Sequence, residues 1–350
     1  MPLIGVDIAP EGVRVVELQS AARGLRISHH AQVPLAADAW QSALDGDPQA
    51  LVASLKHAWK ASGSRLRNAA LALPASAVIT RTLCLPQPDH DDELAWLVEA
   101  DAAQSLPFPR DEISLDFANL GPAANEEGMV DVLLVAARSE RIAQRVAWVE
   151  AAGLKAVVVG VESLAVVTAI ARLCGDSRHA ESILHFSGDG THCLFVRGER
   201  LLFERELGKP LPPAASRSDA WRASELDDWL DAASLEWQRH GRLFAAAAGD
   251  GDIDRLHLAG AGALGPLLAE GFRQRLGIDV SVPDPFLHWP GILRRGHAVE
   301  TAGDDGQVRG ISDASKRGEH DADSGHDHDD DAGGASCLLA CGLALCGLSA

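Results

Sequence analysis

The N-terminal segment constrains the fold most, because residues 3–18 have the pattern of a β-hairpin. Apolar side chains alternate in both predicted strands: Ile4, Val6 and Ile8 in the first, Val13 and Val15 in the second. Residues 9–12 contain a proline and a glycine and are predicted to form the turn. Asp7 lies within the otherwise apolar first strand, so we expect its buried carboxylate to have a partner.

Strand and helix patterns alternate along the rest of the chain. The predicted strands cover residues 25–35, 69–73, 75–86, 113–120, 130–137, 156–161, 183–186, 192–197, 200–204 and the start of 256–263. The predicted helices cover residues 48–62, 91–105, 141–152, 162–173, 216–247, 264–276 and 340–345. This order indicates an α/β protein with mixed sheets, and a length of 350 residues favours two domains.

The composition limits the classes of partner and the cellular location that we expect for this protein. The formal net charge of −19, the absence of tyrosine and an aromatic content of 5% argue against nucleic acid and anionic lipid as direct partners. The six cysteines are scattered or lie in apolar runs, and the N-terminus lacks a signal-peptide pattern. We therefore expect free thiols and a cytoplasmic protein. The longest apolar run, residues 337–350, is too short to span a bilayer.

Residues 301–335 are rich in glycine, aspartate, histidine and serine, and we predict that they are disordered. His320, His326 and His328 lie beside many aspartates in this segment. A segment without fixed geometry is a poor metal ligand set, so we predict no metal site.

The most specific pattern lies between residues 73 and 136. Its parts are Leu-Pro-Ala-Ser-Ala-Val-Ile-Thr-Arg at 73–81, Pro-Phe-Pro-Arg-Asp-Glu-Ile-Ser-Leu-Asp-Phe at 107–117, Gly-Pro at 121–122 and Val-Asp-Val-Leu-Leu-Val-Ala at 130–136. In order and spacing this block resembles the PilM family of type IV pilus assembly proteins. In that family it forms an inserted subdomain, called 1C, which FtsA also has.

The resemblance implies an actin-like (ribonuclease H-like) two-domain α/β fold with an inserted subdomain of the FtsA and PilM type. Residues 1–80 would form subdomain 1A, completed by 155–178 and 336–350. Residues 81–154 would form 1C, and 179–300 the second actin-like half (2A and 2B), followed by the disordered segment. Residues 277–286 and 340–345 also resemble the family pattern.

Actin-like ATPases hold nucleotide phosphates between two loops that offer backbone N–H groups. Here the positions that resemble those loops are changed. Pro10 has no N–H, Glu11 adds a negative charge, and His185 and Ser187 stand where the family has an aspartate and a glycine.

The resemblance nevertheless assigns six candidate cofactor-binding residues: Asp7, Arg14, Glu162, Gly188, Gly260 and Gly262. Ordinary structural roles, such as a turn glycine or a helix-start carboxylate, are the other interpretation of these positions. No general base stands out, so we predict no catalytic residue and no enzyme activity. ATP with magnesium is left open as a cofactor.

By the same resemblance, the chain would lie at the cytoplasmic face of the inner membrane, attached through a partner. PilM proteins bind the N-terminal cytoplasmic tail of PilN in a groove between 1A and 1C, and they contact the pilus motor ATPases indirectly. Phe108 and Leu115 are candidate groove residues, and core packing is the alternative for both. Homo-oligomerisation stays open.

Three interpretations remain. The first is a PilN-binding scaffold with a degraded nucleotide cleft. The second is a PilM-like protein that binds ATP through Asp7, Arg14 and Gly260. The third, an FtsA-like cell-division protein, is disfavoured because FtsA reaches the membrane through a basic amphipathic tail, and this sequence ends at Ala350 without one. Without the 1C block, the pattern would also fit a sugar kinase or another two-domain α/β protein.

Overall fold

The computed structural model describes residues 1–21, 24–36, 38–88, 90–123, 126–175, 177, 179–208, 223–248, 253–289 and 337–348. The described strands form three sheets, two of five strands and one of three. The segment 301–335, for which disorder is predicted, lies outside the described residues. No helix in the described part of the chain is both long and apolar enough to cross a membrane.

The described strands are β1 (Ile4–Ala9), β2 (Gly12–Ala21), β3 (Gly24–Pro34), β4 (Asn68–Leu73), β5 (Val78–Pro86), β6 (Ile113–Pro122), β7 (Met129–Arg138), β8 (Lys155–Val161), β9 (Glu181–Ser187), β10 (Gly190–Arg197), β11 (Arg200–Glu206), β12 (Arg255–Ala259) and β13 (Asp279–Ser281). The helices are α1 (Ala39–Leu44), α2 (Gln49–Ser62), α3 (Asp91–Ser105), α4 (Ser139–Ala151), α5 (Glu162–Cys174), α6 (Ala223–Ala248), α7 (Gly265–Leu276), α8 (Pro285–His288) and α9 (Leu338–Leu345).

The first sheet has the strand order β3-β2-β1-β4-β8 and contains the predicted hairpin. The β1–β2 register pairs Asp7 with Arg14, which supplies the partner expected for the buried carboxylate. Helices α2 and α4 cover one face, where Leu51, Leu55 and Trp148 join the core. Although the predicted boundaries assign α4 to the inserted subdomain, this helix therefore contributes to the core of the first sheet.

The C-terminal helix α9 crosses the other face of the first sheet, beside α5. It approaches β1 so closely that a Cβ atom added at Gly5 would overlap the carbonyl oxygen of Ala340. The α5 and α9 side chains share one core with Ile183, Leu194 and Ala259 of the third sheet. This shared core holds the two five-stranded sheets together.

The second sheet is antiparallel, with the order β5-β7-β6. Helix α3 lies across one face and buries Leu94, Val98 and Ala102 against Val132 and Leu134. This unit contains most of the block from 73 to 136 that carries the family resemblance, from Val78 onward.

The third sheet has the order β11-β10-β9-β12-β13. Helices α6 and α7 pack on it through Trp229, Trp237 and Phe272, which belong to its core. A salt bridge of 2.6 Å joins Arg200 at the start of β11 to Asp131 of β7. The second and third sheets therefore also touch.

The sequence patterns missed several short elements, among them α1, β13 and α8. Helix α1 has only six residues, too few to show a helical period. Residues 75–77 form a 3-10 turn, and the predicted strand begins only at Val78. The helix predicted at 216–247 is α6, and the part of it before residue 223 lies outside the described residues.

Candidate functional site: a groove beside an interdomain cleft

A groove of about 550 Å³ lies between the first sheet and the three-stranded sheet. Its apolar walls are formed by Trp40, Leu44, Leu73, Pro74, Ala77, Val78, Ile79, Leu106, Pro107, Phe108, Ile113, Ala136, Ala137 and Trp148. Its polar lining is formed by Ser76, Arg138, Glu140, Arg141, Gln144 and Arg145. A cavity of this size and apolar character, with a few polar groups, is typical of ligand sites.

Aromatic rings and guanidinium groups alternate in the groove. The guanidinium carbon of Arg138 lies 4.3 Å from the centroid of the Phe108 ring. Arg145 lies between two rings, 5.4 Å from Trp40 and 5.8 Å from Trp148. On a protein with a net charge of −19, three arginines against one glutamate make this groove locally cationic.

Of the two groove candidates, the structure brings only Phe108 into the groove. Leu115 packs instead on the core of the three-stranded sheet beneath α3. Leu115 lies opposite Ala136 in the neighbouring strand, and its side chain points to the face that α3 covers. Leu115 therefore fits the core interpretation, whereas Phe108, which lines the groove and also packs against the same core, fits both interpretations.

Of the candidate nucleotide residues, Asp7, Arg14, Glu162 and Gly188 lie near the junction of the first and third sheets. Asp7 is 5% exposed and accepts a hydrogen bond of 2.9 Å from Arg14. Burial raises the pKa of Asp7, even though Arg14 and Arg145 oppose the rise. The carboxylate that the family resemblance assigns to the nucleotide site is thus already held by a cation of this chain.

Glu162, the first residue of α5, is buried beside Asp7. Burial, together with the nearby carboxylates of Asp7 and Asp189, raises the pKa of Glu162 to about 8, while Arg145 opposes the rise. At neutral pH the favoured form is the neutral carboxylic acid.

The turn between β9 and β10 carries Gly188, and this glycine packs against the turn of the first hairpin. A Cβ atom added at Gly188 would overlap the ring of Pro10. The two turns that resemble the phosphate loops of actin-like ATPases therefore touch one another.

The next residue, Asp189, joins this turn to the wall of the groove. Its Oδ2 atom accepts a hydrogen bond of 3.2 Å from the backbone N–H of Ser76, and its Oδ1 atom accepts one from the Ser187 hydroxyl. Burial pushes the pKa of Asp189 upward, but hydrogen bonds from His192, Ser187 and Ser76 hold it well below its usual range. Asp189 is therefore a carboxylate at neutral pH.

Gly260 and Gly262 lie in the turn after β12, with φ of +80° and +56°. A Cβ atom at Gly260 would overlap the carbonyl oxygen of Phe186, so the close packing of this turn against β9 by itself requires a glycine. His185 on β9 is 3% exposed, and burial and His192 lower its pKa to about 4. A neutral imidazole thus stands where the family pattern has an aspartate.

Within the residues that the structure describes, no group of three or more histidine, cysteine, aspartate or glutamate side chains is arranged to hold a metal ion. His320, His326 and His328 lie outside those residues.

Sequence reasoning missed Arg145, which takes part in both the groove and the cleft. Its Nη1 atom donates a hydrogen bond of 3.0 Å to the carbonyl oxygen of Ile8, 137 residues earlier in the chain. The sequence pattern could have indicated that Arg145 is buried. It lies three and four residues before the buried Trp148 and Val149, on the apolar face of α4. A cation on that face requires buried partners.

Comparison with known proteins agrees with this architecture. The family model described as type IV pilus assembly protein PilM matches residues 5–208, more than half of the chain. A solved PilM–PilN type IV pilus biogenesis complex is similar over 99% of this chain and 99% of its own, with 21% sequence identity and a TM-score of 0.73.

Weaker similarities extend to other solved structures. The cytoplasmic domain of EpsL, an inner membrane component of the type II secretion system of Vibrio cholerae, is 13% identical over 74% of this chain and 82% of its own, with a TM-score of 0.41. A Bacteroides thetaiotaomicron protein with an actin-like ATPase fold and unknown function is 10% identical over 80% of this chain and 90% of its own, with a TM-score of 0.40.

The predicted actin-like α/β fold is confirmed, and so is the family resemblance carried by the block from 73 to 136. The chain belongs to the PilM family of type IV pilus assembly proteins.

Proposed function

We propose that the chain is a scaffold of the type IV pilus inner-membrane assembly platform, and that its groove binds the N-terminal cytoplasmic tail of PilN. The groove of about 550 Å³ carries this proposal. The similar solved structure, a PilM–PilN complex, supports the choice of partner. The chain then lies at the cytoplasmic face of the inner membrane through PilN, and it contacts the motor ATPases indirectly.

The lining of the groove suits an extended peptide. Apolar side chains of the tail bury against Trp40, Trp148 and Phe108, where aromatic surface gives the largest contribution to binding. An extended peptide also carries backbone carbonyl groups that need donors. The exposed guanidinium groups of Arg138 and Arg141 supply such donors at the rim.

We further propose that the cleft has lost nucleotide chemistry. The residues present do not fit a triphosphate: the ring of Pro10 lies against Gly188, Glu11 adds negative charge, and Pro10 offers no N–H. Asp7 is paired with Arg14, which leaves its carboxylate less available to a cation. The protein then acts by binding its partner and does not hydrolyse nucleotide.

A second candidate, a PilM-like protein with a working ATP cleft, is favoured by one observation. Asp7 and Glu162 are adjacent buried carboxyl groups, and carboxylate oxygens are ligands that magnesium prefers. Isothermal titration with ATP and magnesium separates the two candidates. The scaffold proposal predicts no binding up to millimolar ATP, and a micromolar dissociation constant would contradict it.

The groove proposal is tested by fluorescence anisotropy with a labelled synthetic peptide of the PilN N-terminal tail from the same organism. Phe108→Ala should weaken binding about tenfold or more, because it removes an aromatic wall of the groove. The matched control is Phe117→Ala, which truncates a half-buried phenylalanine of the same sheet that does not line the groove. Equal losses in both variants would mean that the peptide binds elsewhere or that the effect is only on stability.

A further inference from the structure

A cysteine, a histidine and a glutamate meet beside the third sheet. Cys174 is the last residue of α5 and is exposed. Its Sγ atom lies 4.0 Å from Nδ1 of His257, a residue of β12 that is 1% exposed. Nε2 of the same ring lies 3.2 Å from Oε2 of Glu181, the first residue of β9. None of these three residues lines the groove, so they form a separate site.

The third sheet fixes the orientation of the His257 ring. Strand β12 runs parallel to both β9 and β13, and His257 lies opposite Ser281 of β13. Oγ of Ser281 lies 2.7 Å from Nδ1 of the ring. On the other side of the ring, Glu181 is held by a hydrogen bond of 2.8 Å from Arg255. The ring therefore turns its Nδ1 atom toward Ser281 and Cys174, although Cys174 and His257 are 83 residues apart in the chain.

The surroundings of His257 keep its ring protonated. Burial alone would lower the pKa of His257, but hydrogen bonds with Cys174 and Glu181, together with their charges, raise it to about 9. The hydrogen bond from His257 in turn lowers the pKa of Glu181. At neutral pH the two residues are therefore an imidazolium and a carboxylate. A positive charge thus lies 4.0 Å from an exposed cysteine sulfur.

A cation beside a cysteine sulfur stabilises the thiolate, which is the form that reacts. We propose that Cys174 is a reactive thiol that forms a mixed disulfide with small disulfides, and that His257, held in place by Glu181, makes it reactive. This site is independent of the proposed binding of a peptide in the groove.

The proposed reaction is thiol–disulfide exchange. The Cys174 thiol gives its proton to solvent, and the thiolate attacks one sulfur of the small disulfide. A new S–S bond forms and the original one breaks. The departing thiolate takes up a proton from solvent. The small disulfide is itself the oxidant, so the exchange needs no other redox partner.

Two other cysteines of the chain serve as internal references. Cys84 on β5 is exposed like Cys174, but desolvation and the nearby carboxylates of Glu126 and Asp131 raise the pKa of its thiol. Cys193 on β10 is 0% exposed, so it should react only when the protein unfolds.

The first test is treatment of the intact protein with oxidised glutathione at pH 7, followed over time by peptide mass spectrometry. Cys174 should be modified at least about tenfold faster than Cys84, because only Cys174 has a cation beside its sulfur. Cys193 should stay unmodified. Equal rates at Cys174 and Cys84 would overturn the proposal.

The second test removes the cation. In His257→Gln, modification of Cys174 should slow at least about fivefold, while modification of Cys84 should not change. His29→Gln is the matched control, because His29 also lies within 3.1 Å of a carboxylate, that of Glu17, but on the first sheet. An unchanged rate at Cys174 in His257→Gln would contradict the proposal.

A third test uses a substitution that removes only a hydroxyl group, and it decides the question if modification of Cys193 shows that His257→Gln has unfolded. In Ser281→Ala, the Nδ1 proton of His257 loses its acceptor at 2.7 Å, which favours its interaction with the sulfur of Cys174. Cys174 should then react with oxidised glutathione as fast as in the wild type or faster. A slower reaction in folded Ser281→Ala would overturn the role of His257.

Discussion

Four ionisable side chains lie in the protein interior where the first hairpin meets α4 and α5: Asp7, Arg14, Arg145 and Glu162. Asp7 and Arg14 form an ion pair, and Arg145 neutralises part of the field of Asp7 and Glu162. An ion pair taken out of water is costly to break, since removal of one partner leaves the other uncompensated. The contribution of each of these residues to the stability of the protein therefore depends on the others and on pH.

The Asp7–Arg14 pair gives a prediction about stability. Arg14→Leu should lower the free energy of unfolding by about 3 kcal/mol, because it leaves the Asp7 carboxylate buried without its partner. The double variant Asp7→Asn, Arg14→Leu should recover much of that loss, because no buried charge remains. Urea denaturation at pH 7 measures both, and an equal loss in the single and double variants would show that the pairing is not what matters.

Glu162 gives a prediction about pH. Its folded-state pKa of about 8 lies above the ordinary value of 4.5, so between these values the folded state binds more protons than the unfolded state. The contribution of Glu162 to stability is thus full below about pH 4.5 and is lost as the pH rises through about 8.

Glu162→Gln should remove this dependence. The stability of Glu162→Gln relative to the wild type should rise with pH across that window, by at most about 1.4 kcal/mol per pH unit. The comparison is made by denaturant titration at several pH values, because titrating groups remote from Glu162 cancel in the difference. A flat difference between pH 5 and 8 would show that Glu162 titrates normally.

At the residue scale, local contacts could be predicted from the sequence, whereas contacts between residues distant in the chain could not. The hairpin pattern predicted that buried Asp7 has a partner. The partner is Arg14, which lies only seven residues later and faces Asp7 in the β1–β2 pairing. The contacts of Arg145 with Ile8 and of Asp189 with Ser76 were missed, because the partners lie 137 and 113 residues away. No local pattern contains such contacts, since the tertiary fold creates them.

At the scale of elements, helix α9 and strand β1 explain a motif glycine without reference to phosphate. Gly5 belongs to the segment that resembles the first phosphate loop, but it is needed here because the backbone of α9 passes directly over it. The apolar helix α9 is buried along its whole length between the first sheet and α5. Removing its contact with β1 should therefore destabilise the whole first half.

A pair of glycine substitutions tests this packing. Gly5→Ala should cost about 3 kcal/mol of stability, because the added methyl group meets backbone atoms of α9 that cannot yield. Gly160→Ala on β8 is the control, since its methyl group would make only ordinary contacts at 3.8 Å or more. Thermal denaturation compares the two, and similar melting temperatures would mean that α9 is loosely held.

At the scale of the whole molecule, the sequence located most strands and helices but not their arrangement. The order β3-β2-β1-β4-β8 cannot be read from periodicity, which reports faces and not neighbours. The block from 73 to 136 supplied the architecture through family resemblance. The groove followed from that resemblance, whereas its link to the interdomain contact emerged only from the structure.

The division into subdomains remains a proposal at this scale. We retain 1–80 with 155–178 and 336–350 as 1A, 81–154 as 1C, and 179–300 as the second half. The packing of α4 on the first sheet marks the end of 1C as the boundary to examine, because Trp148 and Val149 belong to that core. Limited proteolysis with mass spectrometry locates such boundaries.

The proposed scaffold role is tested by measuring the binding of the PilN N-terminal peptide to the intact protein, with and without ATP and magnesium. We expect saturable binding with a dissociation constant that ATP does not change, because the groove is formed and Pro10 packs against Gly188 where the two phosphate-loop-like turns meet. Tighter binding in the presence of ATP would show that the cleft still accepts nucleotide. No binding under either condition would contradict the assignment of the groove to PilN.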